Sequence, residues 1–263
     1  MSRWLVTQVP SWLLLVGLIA FVVGAATVTT RYVRRRYPML NGDEHNDVTK
    51  FTYGFIGFIY AFFIGFVVSS LWGQTNGADA SARAEGASAV QMARDASVFV
   101  PADGARVRQA LLAYERAAIA EWSEAEVGRS PAAEAALAQL YTSYGQVTAT
   151  TGVQKTLLAT SFSNLDGISQ ARTVRLLTAR EDVGPPWPLW VVIFITSGLV
   201  LGTVIVYGVE RPVMQYPMVA VVGVVVAINL FLVLELSHPY VGEIATSSDA
   251  LQEAVRVLSG PGV

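Results

Sequence analysis

The sequence contains no cysteine among its 263 residues. Disulfides, thiol nucleophiles and thiolate metal sites are thereby excluded. Histidine is almost as scarce: His45 and His238 are the 2 present, too few for a histidine-rich metal site. Charged types make up 14 % of the chain, where a soluble domain carries about 25 %. Lys+Arg number 18 against 20 Asp+Glu, so no basic excess draws the chain to nucleic acid. There is no nucleophile elbow, no phosphate-binding glycine loop and no zinc motif. The expectation is a protein without catalytic residues, metal or cofactor.

What the chain has in abundance is apolar surface, with 53 % hydrophobic types and a positive mean hydropathy. Residues 4–30, 51–78, 183–209 and 212–234 contain no Asp, Glu, Lys or Arg. Each run holds enough apolar residues to cross a hydrocarbon layer of about 30 Å at about 1.5 Å per residue. Membrane helices are expected near 12–30, 51–72, 188–208 and 214–235. Trp4, Trp12, Trp72, Trp187, Trp190, Tyr207 and Tyr216 lie near the ends of these spans, where amphipathic rings favour the interface. The first span is long and is followed at once by Arg31, Arg34, Arg35 and Arg36, which anchors it as a retained helix.

Residues 73–182 differ in kind. They carry 10 basic and 12 acidic residues and are rich in helix-forming Ala, Glu, Gln and Arg. Pro101, Gly104, Gly128 and Pro131 read as breaks, with Gly145 and Gly152 as weaker ones. Helices are expected at about 74–99, 104–126, 131–150 and 153–181, the first continuing the second membrane helix because no proline intervenes. Ser130 before Pro131 suits a helix N-cap and first-turn proline. The acids and bases alternate at helical spacing, as on a solvated bundle. The tail 236–263 closes with a short amphipathic helix near 248–258. The chain thus divides into helices one and two (1–72), a helical extramembrane domain (73–182), helices three and four (183–235) and a tail, an all-α membrane protein.

The second span is the most informative. At about 100° per residue, Phe51, Phe55, Phe58, Phe62 and Phe66 form one stripe. Gly54, Gly57, Ala61 and Gly65 form a second, about 100° away. The aromatic face continues as Ser69, Gly73 and Asn76. Two readings follow. In one, phenylalanine faces lipid while the glycines admit a neighbouring helix. Alternatively several copies surround an axis, the Phe rings gate by dewetting, and Ser69, Gly73 and Asn76 line a wetter vestibule. The small polar continuation favours the second.

Other polar residues are fewer. Glu235 and His238 are three apart at the end of the fourth span and can meet as a proton-linked switch or simply mark an interfacial helix end. Asn229 suits an interhelical hydrogen bond. His45 with Asp43, Glu44 and Asp47 suits a solvated loop or cap better than a cation site. Glu210 and Arg211 suit a local turn contact. Loop 31–50 holds Arg31, Arg34, Arg35, Arg36 and Lys50, so the positive-inside rule places it in the cytoplasm and both termini and 73–182 outside. Arg172, Arg175 and Arg180, just before the third span, act against that assignment.

Arg34-Arg35, His45-Asn46, Tyr60-Ala61, Phe66-Val67-Val68, Trp72, Pro185, His238-Pro239-Tyr240 and Gly242-Glu243 occur in order along nearly the whole chain. In this pattern the sequence resembles the bestrophin-like family of bacterial membrane proteins. It is more distantly similar to the bestrophins, pentameric anion channels with four membrane helices per subunit. Phe66-Val67-Val68 before Trp72-Gly73-Gln74 is similar to the end of their pore-lining second helix. Aligned there, Phe58 and Phe62 fall on two hydrophobic neck positions. Gly54 falls on a third, where bestrophins have a larger residue, implying a neck that is wider or shifted toward Phe66. Residues 106–116, with Arg106, Arg108 and Tyr114, resemble the helix that follows.

The resemblance implies a homo-oligomer in the bacterial inner membrane, pentameric, conducting small anions. Its gate would be Phe58 and Phe62, supported by Phe55 and Phe66. It also implies cytoplasmic termini, the reverse of the charge rule. His238-Pro239-Tyr240-Val241-Gly242-Glu243 is similar to the segment that opens the calcium clasp of animal bestrophins. The acidic run that follows there is replaced here by Ile244-Ala245-Thr246-Ser247-Ser248, so calcium activation through this segment is not expected. The alternative to a channel is a non-conducting scaffold whose helical domain binds an envelope or membrane partner.

Overall fold

The computed structural model describes residues 2–37, 46–123, 129–180, 184–207 and 212–260. Among these the chain is helical throughout, with no strand. It forms two compact units: Met1–Gln74 with Val183–Ile244, and Thr75–Asp182 with Ala245–Val263.

The first unit holds α1 (Ser2–Gln8), α2 (Ser11–Arg36), the start of α3 (Asn46–Asp95), α7 (Trp187–Val206) and α8 (Pro212–Leu236). Among the described residues four helices are long and apolar enough to cross a membrane: α2, the stretch Phe51–Val98 made of α3 and the short turn after it, α7, and Met214–Leu236 of α8. Their shared core contains Val22, Tyr60, Ile64, Val67, Leu71, Ile193, Val200, Val226 and Val233. Arg34, Arg35 and Arg36 close α2, where cations complement the helix dipole. The carbonyls left over at the end of α7 are met by buried Gln215, whose Nε2 donates to Ile205 O at 3.1 Å and Tyr207 O at 3.2 Å. Without such a partner those groups would be unsatisfied in an apolar setting, which no membrane helix end tolerates well.

The second unit holds the rest of α3, a 3-10 turn Ala96–Val98, α4 (Pro101–Ser123), α5 (Pro131–Gly145), α6 (Gly152–Arg180) and α9 (Asp249–Ser259). Tyr114, Tyr144, Met92, Leu111, Leu140, Leu165, Ile168 and Leu251 are its fully buried centre. Ser130 caps α5 in an extended conformation, its hydroxyl accepting from Ala133 N, with Pro131 in the first turn. The apolar face of α9, Leu251, Ala254 and Leu258, is buried in the same core. Its first turn comes so close to α3 that a Cβ on Gly86 would lie 2.5 Å from Ala250 O. Only glycine fits there.

Some boundaries differ from expectation. The expected break is present, at residues 99 and 100, but Pro101 and Gly104 already belong to the opening turn of α4, because a first-turn proline lacks only a donor that would be unpaired anyway. Helix α5 stops at Gly145, and Thr148 N then donates to Asp103 at 2.9 Å, fixing the turn into α6. The short α1 was not anticipated.

Candidate functional site

Three faces of α3 can be told apart. Tyr60, Ile64, Val67 and Leu71 are buried against the other membrane helices. At about 100° per residue they lie roughly opposite the phenylalanine column. Phe55, Phe58, Phe62 and Phe66 are 58 %, 71 %, 73 % and 69 % exposed on the single chain. Ser69, Gly73 and Asn76 are exposed as well. The small column lies between. Gly54, Ala61 and Gly65 are exposed and Gly57 half-buried, and among the described residues no other element comes within 4 Å of where a Cβ on Gly54, Gly57 or Gly65 would sit. Among the described residues, therefore, no helix of the same chain fills the stripe expected to receive a neighbour.

Beyond Asn76, the exposed side of α3 carries two cations, Arg83 and Arg94, which the sequence reading did not single out. Arg83 Nε donates to Asp79 at 2.8 Å, an exposed pair one turn apart of the kind that contributes about 0.3–0.5 kcal/mol. Helix phase carried past the end of the apolar run would have found both.

At the end of α8, Glu235 and His238 are both buried. They are joined through the backbone, His238 N donating to Glu235 O at 3.2 Å. The Glu235 carboxylate accepts from Ser11 Oγ at 2.8 Å, a partner 224 positions away that spacing alone could not reveal. Gly242 takes φ +100°, and a Cβ there would lie 2.6 Å from Val6 Cγ1. This glycine supplies both the left-handed turn and the room for α1. Asn229 and Ser197 approach the Tyr60 hydroxyl, polar groups of three membrane helices in one place. Asp43, Glu44 and His45 lie outside the described residues, as do Glu210, Arg211 and the Asp47 side chain. Among the described residues no three His, Asp or Glu side chains gather as metal ligands would.

The second unit corrects one expectation. Its charges do not all lie on a solvated surface: Glu85, Glu115, Glu121, Arg172 and Arg175 are buried. Arg172 donates to both oxygens of Glu121 at 2.8 Å and to Glu134 at 2.9 Å. Ser130 N donates to Glu121 at 2.7 Å. Arg175 donates to Glu85 at 2.6 Å and stacks 4.4 Å over the Trp122 ring. Tyr114 OH donates to Glu85 at 3.2 Å. Burial pushes the Glu121 carboxyl up, but the Arg172 hydrogen bonds and the Ser130 N–H outweigh it and hold it below the ordinary range. The bonds to Glu121 in turn raise Arg172 above its own. Two of the three arginines that weighed against the charge-based orientation are thus tied into a folded core.

The Bestrophin-like domain is matched over residues 19–251. Crystal structures of a bacterial bestrophin homologue from Klebsiella pneumoniae share the fold. One point mutant superposes with a TM-score of 0.69 at 13 % identity, covering 94 % of this chain and 99 % of that one. A second mutant gives 0.64 at 14 % identity, with 94 % and 97 % covered. The structure of the homologue solved by Zn-SAD phasing gives 0.67 at 13 % identity, with 92 % and 96 % covered. No curated protein matches the sequence.

Proposed function

Because the chain belongs to the Bestrophin-like family, we propose that it is a homo-oligomeric ion channel of the bacterial inner membrane, pentameric and anion-conducting, with α3 lining the pore. In this reading Phe58 and Phe62 form the gate, with Phe55 and Phe66 beside them. Ser69, Gly73 and Asn76 begin the vestibule. The observation that carries the reading is the exposure of two adjacent columns on α3, one aromatic and one small, while the third face is packed inside the subunit. A ring of subunits uses all three faces: one for its own core, the glycine face for the neighbouring copy, the phenylalanine face for the axis. Lipid contact would account for the aromatic column but leaves the adjoining bare glycines without a role. A narrow ring of benzyl groups cannot replace an ion's hydration shell, so the passage conducts only when wetted.

Anions are favoured by the resemblance and by exposed Arg94 on α3 in the second unit, whereas the Arg83 charge is offset by Asp79. The scaffold alternative draws on Val174 and Leu177, exposed neighbours on α6, which suit a protein contact. Particle images viewed along the membrane normal separate the two: a ring with an axial opening supports the channel, and its absence supports the scaffold.

Orientation is open to a clean test because the chain has no native cysteine. The charge distribution predicts that a cysteine replacing exposed Ala135 on α5 reacts with a membrane-impermeant thiol reagent added to intact cells. Labelling only after lysis would place the second unit in the cytoplasm, as in bestrophins, and loop 31–50 outside.

A further inference from the structure

Glu115 stands in the middle of α4 with no exposed surface. Neither carboxylate oxygen has a hydrogen-bond donor. An ionised carboxylate only accepts hydrogen bonds, and burying one without donors or a counter-ion is severely unfavourable.

Most of the surrounding donors are already committed, and the buried Arg175 Nη2, which has no hydrogen-bond partner, does not bond Glu115 either. From α3, Glu85 accepts from Tyr114 OH and from Arg175, so the one proton of that tyrosine is already donated to Glu85. From α6, Arg175 is bonded to Glu85 and lies 3.7 Å from Glu121, while Arg172 is engaged with Glu121 and Glu134. Of the other charged groups described on the packed elements, Asp95 of α3 is a second buried carboxylate, Asp79 of α3 is half-buried, and Arg83 and Arg94 of α3, Glu134 of α5, Lys155 and Asp166 of α6 and Asp249, Glu253 and Arg256 of α9 are exposed. Inside the core, Arg172 and Arg175 are balanced by Glu121 and Glu85. Among the described residues the third carboxylate, Glu115, accepts a hydrogen bond from no cation.

We propose that Glu115 is a buried proton-binding site in the core of the second unit, occupied at neutral pH and emptied only in alkali, and that emptying it loosens the packing of α3, α4 and α6. Burial, and then the neighbouring Glu85 charge, push the carboxyl well above its ordinary 4.5, with Arg175 acting in the opposite sense. The folded state therefore holds a proton that the unfolded chain has released. Stability from this group is complete below the ordinary value and declines as pH rises toward the raised one.

The test uses the full chain in detergent. Wild-type Tm should fall by ~5 °C or more between about pH 6 and about pH 9.5, a range that stops short of ordinary tyrosine titration. Glu115→Gln, uncharged and of the same shape, should remove most of that fall. Infrared spectroscopy should show the carbonyl stretch of a protonated carboxylic acid at neutral pH that bleaches in alkali and is missing from E115Q. Should E115Q fail to fold, Glu115→Leu serves the same purpose, since a neutral acid without donors is replaceable by an apolar side chain. An unchanged alkaline fall in E115Q, an infrared band that survives the substitution, or loss of folding in both variants would overturn the proposal.

Discussion

Phe58→Ala combined with Phe62→Ala is expected, from the proposed gate, to raise single-channel conductance at least about tenfold in reconstituted bilayers. Tenfold corresponds to about 1.4 kcal/mol of barrier, a modest share of what a hydrophobic constriction imposes on a hydrated ion. Both rings are more than two-thirds exposed on the isolated chain, at 71 % and 73 %, so their removal leaves the subunit core intact. The core-facing residues of the same helix, Tyr60, Ile64 and Val67, behave differently. Truncating those is expected to loosen the bundle, whereas truncating the phenylalanines is expected to change only the proposed passage. If the rings touch acyl chains instead, the double variant assembles and conducts as the native protein does. That outcome, in correctly assembled protein, removes the proposed gate.

Arg172→Ala is expected to destabilise the second unit by about 3–5 kcal/mol, because it strands the buried Glu121 carboxylate. That is a large part of the 5–15 kcal/mol or so that holds a typical domain together. Proteolysis within residues 73–182 during a thermal ramp on the full chain would detect the loss. Replacing both partners, Arg172→Met with Glu121→Leu, should recover much of it, since an apolar pair of similar volume avoids two desolvation penalties. The pH dependence has a definite sign. Glu121 is held below its ordinary 4.5, so its contribution is complete above that value and disappears as pH falls through the lowered one. Glu115 acts in the opposite direction, and the second unit is accordingly squeezed from both ends of the pH scale.

Several features of the fold follow from local chemistry and were legible from the chain alone. The four spans announce themselves through missing charge. The run from α3 into the second unit is continuous because no proline falls inside Asn46–Asp95. Ser130-Pro131 starts α5 because cap and first-turn preferences agree at that pair. Other features depend on partners far along the chain. Glu85 and Arg175 are 90 positions apart, and Ser11 and Glu235 are 224 apart. A charged residue at helical spacing reads the same whether its face meets water or another helix, so the buried network resembled a solvated surface. Helix α1 was missed because seven residues before Pro10 carry too little periodicity to stand out. Val6, buried beside Gly242, fixes its place.

The site divides along the same line. Periodicity alone separates an aromatic from a small column on α3, and the structure adds that, among the described residues, neither column is covered by another helix of the chain. Which surface covers each is a property of the assembly.

The decisive measurement is a cryo-electron microscopy reconstruction of the purified protein viewed down the membrane normal. The account predicts five copies around an open axis, with the Phe58 and Phe62 rings converging on it and Gly57 and Ala61 against the next copy. A lone subunit, or an assembly with those rings on its lipid-facing rim, would contradict it.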